Sequence, residues 1–127
     1  MVLTIIFVAL LVAADQAIKL WTITALAAQP GARQEFLPGL LNFRYVKNTG
    51  AAFSFFENGT VFFAVFTSIV LIAMTVLLIR VRKRNIRLLN AAITLILAGG
   101  IGNLIDRAAR GFVVDMFEFD FISFPIF

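Results

Sequence analysis

The chain has 127 residues, room for a single domain, and 61% of them are hydrophobic with only 14% charged, against roughly 45–50% and about 25% in soluble proteins. A soluble globule of this size leaves about a third of its unfolded surface in water, which so few polar groups could not cover; together with a mean hydropathy of +1.00 this excludes a soluble domain and predicts an integral membrane protein. With no cysteine and no histidine, disulfides, thiolate or imidazole zinc sites and Ser-His-Asp chemistry are excluded, so neither metal nor cofactor is expected and proton transfer falls to seven carboxylates.

The first predicted span runs from Met1 to Ala28, fourteen uncharged residues followed by Asp15, Gln16 and Lys19 and then renewed apolar sequence. It lacks a basic leader and continues past any cleavage point, so it is read as an uncleaved span. The outer stretch 29–60 mixes turn residues with short apolar runs. Leu40 to Lys47 and Gly50 to Phe56 are read as strands. Val61 to Ile79 and Leu88 to Ile105 are uncharged and close to the ~20 residues that cross a hydrocarbon core. Each span must satisfy its own backbone in lipid, so each is predicted to be a helix. After 106, Phe117, Phe119 and Phe121 alternate with Glu118 and Asp120, a strand pattern. The expected fold is an all-α membrane bundle of three spans, one domain over 1–127, with a small extracytoplasmic sheet.

Five bases fall in eight residues between the second and third spans, Arg80 to Arg87, with no acid. The positive-inside rule puts this loop in the cytoplasm. The amino terminus is then cytoplasmic too, and 29–60 and 106–127 face outward. The bases answer to topology, and no nucleic-acid partner is expected.

Polar residues collect at one depth. Asp15 lies about 21 Å along a helix that starts inside, where a charge costs about 2.5–3.5 kcal/mol on insertion scales. Lys19 is one turn further out, at ion-pair spacing. The two form either a structural bridge that snorkels outward or the support of a site. Gly99 to Arg107 reads G-G-I-G-N-L-I-D-R: small residues that admit a second helix, with Asn103 and Asp106 on one face. It is either helix packing closed by an Asp-Arg pair or part of a site. Asp115 follows two valines, either a solvated strand end or a carboxyl whose pKa burial raises. Asn48, in V-K-N-T-G-A-A-F-S, is either a turn residue or a site amide. Their convergence from separate stretches argues for an outer site in which a carboxylate pair shares one proton.

These motifs, D-Q-A-I-K (15–19), V-K-N-T-G-A-A-F-S (46–54), G-G-I-G-N-L-I-D-R (99–107), V-V-D (113–115) and F-P-I-F (124–127), resemble the lipoprotein signal peptidases, the type II signal peptidases of bacteria, over essentially the whole chain. The resemblance implies an aspartyl endopeptidase of the bacterial cytoplasmic (inner) membrane. It would act as a monomer among membrane lipids and cut a diacylglyceryl-modified prolipoprotein just before its lipidated cysteine. It implies a four-helix bundle with an outer β-cradle. Asp115 is implied as one catalytic aspartate, with Asp15, Asn48, Asn103, Asp106 and Arg107 as substrate-binding or supporting residues; Lys19 joins them through its spacing from Asp15. The family's second catalytic aspartate follows F-P-x-F and opens the fourth helix. It would fall about four residues past Phe127, so the chain is expected to be a C-terminally truncated piece of such a peptidase and, ending there, not to cleave. Glu118 and Asp120 do not match its position. The alternative is a non-catalytic membrane subunit or inactive paralogue whose polar residues hold helices together.

Overall fold

The computed structural model describes residues 2–50, 59–84 and 86–127. Three helices are long and apolar enough to cross a membrane: α1 (Val2–Leu26), α2 (Thr60–Arg82) and α3 (Arg87–Arg110). α3 packs against both of the others. Its amino-terminal half buries Ile93 and Leu97 against Leu78 of α2, with Leu71, Met74 and Val81 around them. Most other apolar side chains point outward, as Leu3, Val61 and Leu88 do. That inversion is expected where lipid, not water, is the solvent.

Two glycines set the α2–α3 and α1–α3 distances. A Cβ on Gly100 would meet Leu71 Cδ2 at 2.8 Å, and one on Gly102 would collide with the Asp15 carboxylate, with Cγ at 3.0 Å. Gly99, expected to share that duty, has nothing within 4 Å. α3 also runs further than predicted. It ends at Gly111, whose φ of 78° is the left-handed cap that glycine adopts without Cβ strain. Asp106 is therefore inside the helix rather than at its end. Likewise α2 continues to Arg82, so Arg80 and Arg82 of the expected loop are helical.

Outside the spans, β1 (Arg33–Leu37), β2 (Leu41–Asn48) and β3 (Val113–Phe119) form an antiparallel sheet in that order. β2 matches the strand expected over 40–47. The strand expected over Gly50 to Phe56 falls mostly outside the described residues. β3 starts earlier than the Phe alternation suggested and excludes Phe121. β1 was not foreseen: Arg33–Leu37 carries three polar residues in five, and pairing with β2 overrides its weak strand preference.

Asn42 pairs with Glu118 and Phe43 with Phe117, so the sheet has a wet and an aromatic face. On the wet face Arg33 and Arg44 stand directly opposite, a repulsive pairing. Glu118 offsets it by binding both, at 2.7 Å from Arg33 Nε and 2.5 Å from Arg44 Nη1. Asp120 adds a 2.6 Å contact to Arg33. On the aromatic face Phe43 lies between Phe36 and Phe117, with centroids at 4.8 and 5.7 Å, and meets Trp21 of α1 edge-on at 5.2 Å. The carboxyl-terminal end of α1 is thereby stapled to the sheet that carries Asp115.

Candidate active site

Asp106 is the hub of the polar residues. Its side chain is wholly buried, a placement that lipid or protein tolerates only when the charge is paired and hydrogen-bonded. Lys19 Nζ lies 2.8 Å from Oδ2. Arg110, one turn on, pairs with Oδ1. Gln16 Nε2 donates to Oδ1 at 3.1 Å and the backbone N–H of Val114 to Oδ2 at 3.2 Å. Lys19 also reaches Asp15 Oδ2 at 3.2 Å and donates to Asn103 Oδ1 at 3.0 Å. Two carboxylates thus meet two cations in a network that joins α1, α3 and β3.

The structure decides between the two forms of the Lys19 expectation. Lys19 is 2% exposed, so it does not snorkel outward; Asp106 and Asp15 hold it inside. Asp106 pairs with Lys19 and Arg110, not with the neighbouring Arg107, because residues four apart share a helix face and adjacent ones do not. Gln16 and Arg110 were not singled out as candidates. Arg110 stands at i,i+4 from Asp106, but beyond Ile105, where the uncharged run of the third span stops. Gln16 was legible only as a third polar residue beside Asp15. Besides binding Asp106 it donates to Gly102 O at 3.2 Å and accepts from Arg110 at 2.9 Å.

Asp115 forms the second cluster. It sits on β3 opposite Val46, one residue after the amide that Asp106 holds. Asn48, at the end of β2, donates through Nδ2 to Asp115 Oδ2 at 2.8 Å. Its own Oδ1 accepts the N–H of Gly50 at 3.0 Å, which fixes which way the amide points. Arg107 extends to Gly50 O at 3.4 Å and lies over the Phe63 ring at 5.7 Å. Burial pushes the Asp115 carboxyl above the ordinary carboxylate range. The Asn48 bond and the charges of Lys19 and Arg107 oppose the shift, and Asp106 adds to it. A carboxyl so placed keeps its proton to a higher pH than an exposed one, the direction an acid catalyst requires.

The seven residues expected at the site therefore come together as two adjoining clusters: Asp15, Lys19, Asn103 and Asp106 in one, Asn48 and Asp115 in the other, with Arg107 beside the second. Glu118 and Asp120 lie elsewhere, on Arg33 and Arg44 at the wet face. Along β3, Glu118 also points to the side opposite Asp115. Among the described residues no second carboxylate is bonded to Asp115, and no group of acids has the spacing of a metal site.

A family model described as signal peptidase (SPase) II matches residues 7–127. The lipoprotein signal peptidase of Enterococcus faecalis is 44% identical over 119 residues, which are 94% of this chain and 72% of that protein. That of Lactococcus lactis subsp. cremoris is 41% identical over 125 residues, 98% of this chain and 81% of that protein. A bacterial membrane enzyme structure solved in meso superposes with a TM-score of 0.85 at 33% identity, covering all of this chain and 77% of the other. A second gives 0.78 at 32% identity, covering 98% and 82%. With its fold, its motifs and these relatives in agreement, the chain belongs to the signal peptidase II family of aspartic-type membrane peptidases.

Proposed function

We propose that the chain serves the activity of its family at the outer face of the bacterial cytoplasmic membrane, removing signal peptides from diacylglyceryl-modified prolipoproteins, with Asp115 as a catalytic carboxylate. The observation that carries the assignment is the setting of Asp115: a partly buried acid with a raised pKa, oriented by Asn48 and standing beside a charge-neutral network. In the reaction water attacks the scissile carbonyl, and the carbonyl oxygen takes up a proton as the tetrahedral centre forms. Asp115 is suited to hold and deliver that proton, and a carboxylate partner would take one from the attacking water. That partner is a feature of the family resemblance.

The remaining residues are positioning groups. Asp106 grips the Val114 amide and so fixes where β3 presents Asp115. Lys19 and Arg110 pair with Asp106 in its buried place, and Asp15 and Asn103 hold Lys19. Asn48 sets the Asp115 rotamer, and Arg107 braces the chain at Gly50. A lipidated substrate already resides in the bilayer, so it can reach a site at the membrane's outer edge by lateral diffusion. The basic residues between α2 and α3 support a cytoplasmic location for that end and for the amino terminus.

The test uses the protein as its gene encodes it, purified in detergent, with a diacylglyceryl-modified precursor peptide. Cleavage before the lipidated cysteine is expected, lost by at least a hundredfold in Asp115→Asn while the variant still binds the peptide. Equal cleavage by Asp115→Asn would remove Asp115 from catalysis.

A further inference from the structure

The β2–β3 ladder ends where Asn48 faces Val113. Beyond that pair the two chains separate, into Thr49 and Gly50 on one side and Phe112 and Gly111 on the other. Asn48 and Asp115 stand at this end of the sheet, so fraying there would move both. One side chain from a third element bridges the gap. Thr60 opens α2, and its hydroxyl lies 2.8 Å from Gly111 O and 3.3 Å from Thr49 O. A hydroxyl has a single proton to donate, so the two carbonyls share it, Gly111 O being the nearer. Threonine at a helix start commonly spends its oxygen on capping the first turn. Here the cap position is Gly59, which makes no side-chain cap, and Thr60 turns its hydroxyl away from its own helix.

Both carbonyls belong to corners that carry the site. Thr49 lies between Asn48 and Gly50, and the N–H of Gly50 holds Asn48 Oδ1 at 3.0 Å, which leaves Nδ2 turned to Asp115 at 2.8 Å. Arg107 takes the next carbonyl, Gly50 O, at 3.4 Å. Two consecutive carbonyls of this turn are therefore held from outside the sheet, one by α2 and one by α3. On the other side, Gly111 is the left-handed residue with φ 78° at which the chain leaves α3 for β3, four residues before Asp115. Lys47 adds a second tie across the gap, with its ammonium 5.1 Å from the centre of the Phe112 ring.

We propose that Thr60 is a positioning residue for the peptidase reaction: by bridging Thr49 O and Gly111 O it holds the turn that aims the Asn48 amide, and so the orientation in which Asp115 meets the substrate. Thr60 has this role only if Asp115 is the catalytic carboxylate proposed above. It acts through Asn48 and transfers no proton itself. Without the bridge the turn at 49–50 is free to shift, Gly50 N–H moves off Asn48 Oδ1, and the amide no longer has one preferred direction. A loss of that kind falls on the geometry of the reacting groups, and therefore on turnover more than on substrate binding.

The test uses the protein as its gene encodes it, in detergent with the diacylglyceryl-modified precursor peptide, and reads kcat and KM separately. Thr60→Val keeps the branched shape and deletes the donor. It should lower kcat about three- to tenfold, the worth of one neutral hydrogen bond, with KM changed less than about twofold. Thr60→Ser keeps the hydroxyl and should return kcat to within about twofold of the parent. Adding Thr60→Val to Asn48→Ala should slow that variant by less than about twofold more, because the two changes break one chain of contacts. Thr60→Ala repeats the deletion should the valine variant misfold. A Thr60→Val kcat equal to the parent's, whatever its melting temperature, would overturn the inference. So would a serine variant as slow as the valine one, or a full multiplicative loss in the double variant, which would describe a stabilising contact without a link to Asn48. Asp115→Asn separates the two levels. If it cleaves like the parent, the assignment of Asp115 fails and the role of Thr60 with it; if it is inactive and Thr60→Val is unimpaired, the role of Thr60 alone fails.

Discussion

Asp106 and Asp115 are nine residues apart, both aspartates and both withdrawn from water, yet their surroundings give them opposite tasks. Asp106 meets two cations, an amide and a backbone N–H, so its charge is matched in place. Asp115 has one amide donor and more distant cations, so burial prevails. Removing Asp106 strands Lys19 and Arg110 and frees the Val114 amide. Asp106→Ala is expected to cost about 3 kcal/mol or more, the scale of breaking a buried ion pair, read as an earlier thermal unfolding in detergent. For Asp115 the sign is reversed. The folded protein binds its proton more tightly than the unfolded chain does, so stability falls as pH rises from the usual carboxylate pKa toward the raised folded value. Above that value the ionised carboxylate is a standing cost. Asp115→Asn should therefore unfold at a higher temperature than the parent at pH 8, with the gap closing below about pH 4, where both side chains are neutral. A parent at least as stable as the variant at pH 8 would show that Asp115 is not under this stress.

At the scale of elements, the α1–α3 contact decides whether the polar network can close. Gly102 lets Asp15 lie against the α3 backbone. Gly102→Ala should push α1 outward and lower stability by about 1–3 kcal/mol, the usual cost of overpacking. Gly99→Ala, facing open space, should be neutral within about 0.5 kcal/mol; thermal melts of the two variants make the comparison. The three spans were legible in the sequence because a helix in lipid must be a long uncharged run, and 61–79 and 88–105 are such runs. Their outer limits were not. Charges mark the end of a hydropathy pattern but not of hydrogen bonding, so α3 continues through Asp106, Arg107 and Arg110. That error hid the Asp106–Arg110 pair. The strand at 33–37 was hidden for a different reason: its stability comes from the register with β2 and from Glu118 between two arginines, a long-range arrangement without a local signature. The candidate residues were legible as polar groups of one depth, but which aspartate pairs with which cation required the helix faces.

For the whole molecule, one division organises the rest. The described acids, the sheet and both polar clusters stand at one end of the helices, and five bases without an ion pair among the described residues stand at the other. An enzyme that meets an extracytoplasmic lipidated substrate needs Asp115 at the outer end and the bases inside. These 127 residues contain no cysteine, so an introduced one is the single thiol they present. Lys47→Cys, exposed one residue from Asn48, and Lys83→Cys, exposed after α2, should be treated in intact cells with a membrane-impermeant maleimide. The arrangement described here requires rapid labelling at 47 and labelling at 83 only after the membrane is permeabilised. Labelling at 83 in intact cells with 47 protected would turn the molecule over and take Asp115, the proposed catalytic carboxylate, away from the substrate.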